Sequence, residues 1–357
     1  MKCKIIIVLM FFSACKETEQ VNFGKEQYLF DDPKTYYAVF TNHPPAIDGI
    51  LDDTVWKQAV WTENFQDIEG LYTNKVKPHY ITKVKMLWDS NYLYIAAYIE
   101  EPHIWATLKK RDEIIYNDND FEVFIDPLNI QSKYYEIEIN AFNTVFDLYM
   151  GSPYRTNGPM ITEWNCNNLL SAIKIDGTIN NNSDIDKGWY VEMAIPFDEI
   201  NFKITNNAFC RINFSRVEWD VDTINGKYQK KTDSKTGKTL RENNWVWSPQ
   251  GVINMHCPET WGYLYFTKNN NTENTHIPDA EYLKRYLWLV FNRQFKYYKE
   301  NKKYANTLKI LDIKEKVKHN GKIYTLALKA NDKGYLATLE NKKQKLQISE
   351  KGIIISE

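Results

Sequence analysis

Residues 81–99 read ITKVKMLWDSNYLYIAAYI, and their pattern sets the fold class. Val84, Met86 and Trp88 recur at every second position, which places them on one face of a β-strand. The triplet Asp89-Ser90-Asn91 is typical of a turn, and a second apolar segment begins at Tyr92. The pattern therefore predicts a β-hairpin.

Similar short segments surround this hairpin between residues 36 and 267. We predict further strands at Phe121–Ile125, Tyr134–Asn140, Thr144–Tyr149, Trp189–Ile195, Arg211–Glu218 and Trp261–Phe266. Loops rich in Asn, Asp and Gly separate these segments. Many short strands without interleaved helices favour a mainly β fold, an antiparallel β-sandwich of immunoglobulin-like or jelly-roll-like type.

The sequence changes character after residue 267. Residues 268–278 form a polar linker, and from Asp279 to Asn301 apolar residues recur at helical spacing. Strand-like segments follow this helix. We therefore predict a small α+β unit over residues 279–357, and a protein partner, where there is one, is expected to contact this unit.

The first 15 residues, MKCKIIIVLMFFSAC, have the layout of an exported precursor. Lys2 and Lys4 precede an apolar run that is too short to span a bilayer as a helix, and two small residues precede Cys15. A Cys in this position resembles the bacterial lipobox, which implies lipidation of Cys15 and a tether over residues 16–35. An ordinary secretory signal or an uncleaved anchor is the alternative. The expected location is the bacterial cell envelope, as an outer-membrane lipoprotein.

The charge balance argues against a nucleic-acid partner. Lys and Arg number 45 and Asp and Glu number 46, so the chain has no global positive field. After the first 15 residues the chain holds Cys166, Cys210 and Cys257, an odd and widely spaced set that argues against a disulfide framework but leaves one bridge open. The 24 Tyr, 17 Phe and 11 Trp suit both β-sheet cores and sugar-stacking surfaces.

Four motifs, in this order, resemble the family 9 carbohydrate-binding modules and related lipoproteins of Bacteroidetes type. They are IDGILDDTVW at 47–56, VKMLWDSNYLY at 84–94, NDFEVFIDP at 119–127 and PETWG at 258–262. Each motif alone has little specificity, but the ordered set is more specific and covers residues 36–266. The resemblance implies a β-sandwich that binds sugar and does not cut it.

A sugar presents apolar C–H faces and a rim of hydroxyls, so a site for it needs aromatic planes beside carboxylates or amides. In the family, an aromatic residue and a Glu six positions later contact the ligand, and these positions are Tyr116 and Glu122 here. Asn140 matches a polar family position, while Glu138 stands where sugar-binding members have Arg. The second stacking position aligns with Met255. The candidates near it are Trp245, Trp247 and His256.

The segment RDEIIYNDND, residues 111–120, is a dense acidic loop. Asp118 and Asp120 offer the hard oxygen ligands that calcium prefers, and members of the family hold structural calcium. The spacing differs from that of an EF-hand, and a solvated acidic loop is the alternative. We expect no other cofactor.

We expect non-catalytic carbohydrate binding at the cell envelope, with capture of glycan or polysaccharide fragments. The sequence contains no nucleophile elbow, metalloprotease helix or phosphate loop, so we do not expect an enzyme. One alternative is an accessory part of a polysaccharide-hydrolysing system. Another is a structural envelope lipoprotein without a sugar ligand. A haem carrier that uses Met255 and His256 is a third, although Cys-x-x-Cys-His is missing.

Overall fold

The computed structural model describes residues 23–72, 77–204, 208–268 and 275–356. The predicted signal segment with Cys15, residues 16–22 of the predicted tether, and residues 269–274 of the predicted linker lie outside the described residues. None of the described helices combines the length and the apolar character needed to cross a bilayer.

The described chain contains a β-rich part with a large sheet and the two-stranded sheet of Val221–Ile224 and Lys227–Lys230, followed by one α-helix and a five-stranded sheet. The first fifteen strands are β1 (Thr35–Phe40), β2 (Gln66–Asp67), β3 (Thr82–Trp88), β4 (Tyr92–Glu100), β5 (Asp120–Asp126), β6 (Tyr134–Asn140), β7 (Val145–Met150), β8 (Met160–Ile161), β9 (Leu170–Asp176), β10 (Gly188–Pro196), β11 (Phe209–Glu218), β12 (Val221–Ile224), β13 (Lys227–Lys230), β14 (Asn243–Val246) and β15 (Gly262–Thr267). They are followed by α1 (Asp279–Asn301), β16 (Lys316–His319), β17 (Lys322–Ala330), β18 (Tyr335–Glu340), β19 (Lys345–Ser349) and β20 (Ile354–Ser356). Short 3-10 helices lie at Gly24–Phe30, Thr54–Gln58, Gly70–Tyr72, Ile115–Asn117, Tyr154–Thr156 and Pro258–Thr260.

One large curled sheet organises the β-rich part. Its strand order is β8-β7-β6-β5-β11-β15-β1-β3-β4-β10-β9, with β14 beside β11 and β2 beside β14. Strands β3 and β4 form the hairpin predicted from residues 81–99, with Val84 opposite Ala97. Strand β1 pairs in parallel with both β15 and β3, which the prediction of an antiparallel sandwich did not include. The mainly β, sandwich-like fold class is confirmed.

The main core lies between the two halves of this sheet. Side chains from β5, β6 and β11 pack in it with side chains from β3, β4 and β10. Because neighbouring residues of a strand point to opposite faces, Phe121 and Val123 enter this core while Glu122 and Phe124 lie on the outer face of β5. This outer face carries the candidate site.

The C-terminal unit is a five-stranded antiparallel sheet, β16 to β20, with α1 packed on it. Its core contains Leu287 from α1 and Leu339 and Ile348 from the sheet. The helix begins and ends where its apolar spacing predicts. The unit also contacts the sandwich, because Arg211 Nη2 donates to Glu281 Oε2 at 2.9 Å.

The described part of the predicted tether packs against this unit. Leu29, in the 3-10 helix Gly24–Phe30, is buried in the same apolar cluster as α1. Arg285 Nη1 donates to the carbonyl oxygen of Phe30 at 3.0 Å. The chain therefore makes tertiary contacts well before residue 35, where β1 begins.

Candidate functional site

A pocket of about 480 Å³ lies on the outer face of β5, β6 and β7. This volume falls within the range of small-molecule sites. The strand register builds its floor: Glu122 lies opposite Glu138, and Phe124 lies opposite Glu136. On the next strand, Phe146 pairs with Glu138 and continues the same face. The floor therefore combines carboxylates with apolar side chains.

Two tyrosines from short 3-10 helices, Ile115–Asn117 and Tyr154–Thr156, line the pocket above this floor. Tyr116 is 45% exposed and Tyr154 is 46% exposed, so each ring has a free surface. The backbone N–H of Tyr116 donates to Glu138 Oε2 at 2.9 Å, which ties its loop to the floor. The Tyr154 hydroxyl donates to Met160 Sδ at 3.1 Å. Burial, with Glu136 and Glu138 nearby, raises the pKa of Tyr154 to about 12, so its hydroxyl stays protonated.

His256 forms part of the pocket wall. Its Nδ1 lies 2.8 Å from the Tyr134 hydroxyl, and its ring makes an edge contact with Tyr154 at a centroid distance of 4.3 Å. Burial and the nearby Arg155 guanidinium lower the pKa of His256 to about 3. The imidazole is therefore neutral at physiological pH and adds no positive charge to the pocket.

A cluster of buried carboxyl groups lies in the floor. One oxygen from each of Asp120, Glu122 and Glu138 lies within 4.8 Å of the others. Burial and the neighbouring Glu138 carboxyl raise the pKa of Glu122 to about 8. Burial also raises the pKa of Glu138 to about 7, and it raises the pKa of Asp120 well above its usual value, with help from Glu122. These shifts reflect negative charge held away from water with little positive charge beside it.

The comparisons with known proteins identify the family. The family model described as "Carbohydrate family 9 binding domain-like" matches residues 47–253, which is more than half of the chain. The chain belongs to this family. The family 9 match includes both pocket tyrosines and the three clustered carboxylates, while His256 lies just beyond its end.

Similar proteins include much larger enzymes. The chain is 32% identical over 191 residues to endo-1,4-beta-xylanase A of Thermotoga maritima, covering 52% of this chain and 14% of that protein. It is 27% identical over 187 residues to endo-1,4-beta-xylanase C of Paenibacillus barcinonensis, covering 51% of this chain and 14% of that one. A family 9 carbohydrate-binding module from Caldicellulosiruptor kristjanssonii, solved with cellotriose, aligns with a TM-score of 0.43 and 17% identity, over 69% of this chain and 100% of that one.

Three of the predicted ligand residues, Tyr116, Glu122 and His256, line the pocket. Trp245 and Trp247 do not line it. Both indoles are buried in the main core, with 2% of each residue exposed. The alternation of strand β14 explains this placement, because Val246 between them belongs to the cluster on the pocket side. The structure thus places these tryptophans in the core instead of on a binding surface.

The structure also corrects the prediction that Asn140 contacts the ligand. Its side chain is fully buried, and its hydrogen bonds are made within the fold. Its Nδ2 donates to the Leu108 carbonyl at 2.9 Å and to Asp118 Oδ2 at 3.0 Å. Its Oδ1 accepts from the backbone N–H groups of Phe142 and Thr144. Asn140 therefore stabilises the segments around Leu108 and Asp118 and does not line the pocket.

Asp118 and Asp120 differ although both were candidate calcium ligands. Asp118 accepts hydrogen bonds from the backbone N–H and the hydroxyl of Thr107, and from the backbone N–H of Leu108. These donors, with Asn140, occupy both oxygens of the Asp118 carboxylate. The structure therefore corrects the prediction that Asp118 binds calcium, because this carboxylate stabilises the loop at Thr107 and Leu108. Asp120 instead lies in the carboxyl cluster with Glu122 and Glu138.

Tyr154, Glu136 and Glu138 are pocket residues that the sequence prediction did not assign to ligand binding. Glu138 and Glu136 alternate along β6 with Ile137 and Ile139, and such alternation marks side chains on one face of a sheet. Tyr154 is the one aromatic residue in the turn-rich segment GSPYRTNGP, residues 151–159. That local contrast is the signal that identifies it as a candidate.

Proposed function

We propose that the protein binds carbohydrate in this pocket without cleaving it. The observation that carries the proposal is the pair of half-exposed tyrosines, Tyr116 and Tyr154, above a floor of carboxylates in a family 9 domain. Aromatic rings stack on the C–H faces of a sugar, and carboxylates and amides accept or donate hydrogen bonds at its hydroxyl rim. Glu122, Asn244 and Asn254 line the same pocket and supply these polar groups.

The arrangement of the acids favours binding over hydrolysis. A glycosidase needs two carboxyl groups that flank the scissile bond, one to protonate the leaving oxygen and one to act from the other side of the sugar ring. Glu122 and Glu138 lie directly opposite each other on adjacent strands, so both approach a ligand from the floor. They can hold hydroxyl groups, but they do not enclose a glycosidic bond.

The test is a glycan array followed by calorimetry on the chain from Lys16 onward. We expect saturable binding to a glycan or polysaccharide fragment. Tyr116→Ala and Tyr154→Ala each remove a stacking surface and are expected to weaken affinity by roughly 3- to 10-fold. Tyr116→Phe keeps the ring and should retain the affinity.

Tyr298→Ala is the matched control, because Tyr298 is a comparably exposed tyrosine on α1, away from the pocket. Binding that is equally strong in wild type and in both pocket alanine variants would show that the site lies elsewhere. Absence of binding across the array would favour a structural envelope protein.

We also propose that the protein is a lipoprotein of the bacterial outer membrane, anchored through Cys15. The support is the order of basic residues, short apolar run, small residues and Cys in MKCKIIIVLMFFSAC. In a bacterial host fed with a clickable fatty acid, the wild-type chain should take up the label and fractionate with membranes. Cys15→Ser should lose the label. Equal labelling of the two chains, or none in either, contradicts lipidation at this residue.

A further inference from the structure

The carboxyl cluster beneath the pocket contains a buried oxygen that accepts no hydrogen bond from the described residues. Asp120 is fully buried, and its Oδ1 accepts a hydrogen bond from the backbone N–H of Val217 at 3.1 Å. Its Oδ2 is buried and has no hydrogen-bond partner among the described residues. A buried carboxylate oxygen without a donor is costly, and a cation shared with Glu122 and Glu138 would offset that cost.

The basic groups around the cluster do not neutralise it. Arg241 is the one Lys or Arg in the described pocket lining; its side chain is 64% exposed and pairs with Glu242 at 3.7 Å. The ammonium of Lys230 interacts electrostatically with Asp118 and Glu242 more than with Asp120, and it lies over the ring of Trp219, 3.4 Å from the centroid. Three carboxylates therefore share a small volume without an ion pair to any described Lys or Arg.

We propose that Asp120, Glu122 and Glu138 form a binding site for a divalent cation, and that the cation is calcium. Calcium takes six to eight oxygen ligands at about 2.3–2.6 Å, so two ligands on opposite sides of the ion lie roughly 5 Å apart. The three carboxylate oxygens lie within 4.8 Å of one another, which places them within the span of one such ion. The all-carboxylate set favours calcium over zinc, which prefers nitrogen and sulfur ligands.

The protein groups approach the site from one side only. Asp120 and Glu122 come from β5 and Glu138 comes from the paired strand β6, so all three rise from the floor. Glu122 and Glu138 also line the open pocket, and the remaining coordination positions therefore face it. If the proposed carbohydrate function holds, vicinal sugar hydroxyls can replace water at those positions. Glu138 also accepts from the Tyr116 N–H, so the cation would steady the Tyr116 loop.

The cation site can be tested without any sugar. Titration of the metal-free chain from Lys16 with terbium, which binds oxygen-rich calcium sites, should give saturable luminescence that calcium displaces. Asp120→Asn and Glu138→Gln should each weaken calcium binding at least tenfold, since each removes a charged ligand. Glu242→Gln removes a negative charge from the same pocket outside the cluster, and it should change affinity less than threefold.

Thermal melting distinguishes loss of the calcium site from misfolding of the variants. Calcium should raise the melting temperature of wild type and of Glu242→Gln, but not that of Asp120→Asn, whose melting temperature in EDTA should equal or exceed that of wild type. Equal calcium affinity in wild type, Asp120→Asn and Glu138→Gln, or no saturable binding, overturns the proposal. Sugar binding that persists unchanged in EDTA, with no calcium binding, overturns the cation site alone. Calcium binding without any sugar binding overturns the carbohydrate proposal alone.

Discussion

Val246 and Trp247 are neighbours in the chain, yet they lie on opposite faces of the sheet. Val246 packs in the cluster beneath the pocket, while Trp247 packs in the main core against Phe214, at a ring-centroid distance of 6.0 Å. A Cβ at Gly262 would lie 2.4 Å from the Trp247 ring, so this glycine leaves the room that the indole occupies. At the scale of residues, position on a strand decides whether an aromatic ring stabilises the fold or contacts a ligand.

Trp247→Phe separates these two roles. The Trp247 indole nitrogen has no hydrogen-bond partner among the described residues, so the substitution removes packing volume alone. We expect the free energy of unfolding to fall by about 1–3 kcal/mol, measured by chemical denaturation. Carbohydrate affinity of the folded chain should stay within twofold of wild type. A tenfold loss of affinity with little change in stability would place Trp247 in the binding site instead.

At the scale of elements, local pattern was enough to predict most strands near the site. Strand β6 has the predicted bounds, and β5 extends the predicted Phe121–Ile125 by one residue at each end. Period-two alternation and turn residues are short-range signals, and they determine strands without reference to the rest of the chain. The parallel pairing of β1 with β15 joins segments more than two hundred residues apart, and no local pattern specifies it.

The residues of the candidate site likewise include some that local sequence predicts and some that only the tertiary structure brings together. Tyr116 and Glu122 are close in sequence, and their spacing together with the family resemblance placed both in the pocket. Tyr154 joins them only because the connection between β7 and β8 folds beside β6, which is a tertiary contact. The carboxyl cluster likewise depends on the register that sets Glu122 opposite Glu138. A shift of one residue in that register would send Glu138 to the core face.

At the scale of the whole molecule, buried charges connect the sandwich to the C-terminal unit. Arg211 from β11 and Glu281 from α1 are both almost fully buried and pair at 2.9 Å. Lys284 Nζ donates to the same Glu281 carboxylate at 2.6 Å and to the Asn129 carbonyl at 2.9 Å. On the other side, the Arg155 guanidinium lies 5.0 Å from the centroid of the Trp288 ring on α1. These contacts fix the position of the helix against the sheet that carries the pocket.

Glu281→Gln tests this connection because it leaves the buried Arg211 guanidinium without its charged partner. Loss of one member of a buried ion pair lowers the free energy of unfolding by roughly 3–5 kcal/mol. The control is Asp176→Asn, which removes an exposed pair with Lys187 and should lower it by less than about 1 kcal/mol. Burial alone would raise the pKa of Glu281, but Arg211 and Lys284 hold that pKa below its usual value. The stability from the pair is therefore present above the unfolded-state pKa and is lost as the pH falls through the lower folded-state pKa. Denaturation curves should show a large difference between wild type and Glu281→Gln at neutral pH that shrinks in acid. An effect no larger than that of Asp176→Asn would mean that the Arg211–Glu281 pair does not stabilise the contact between the two units.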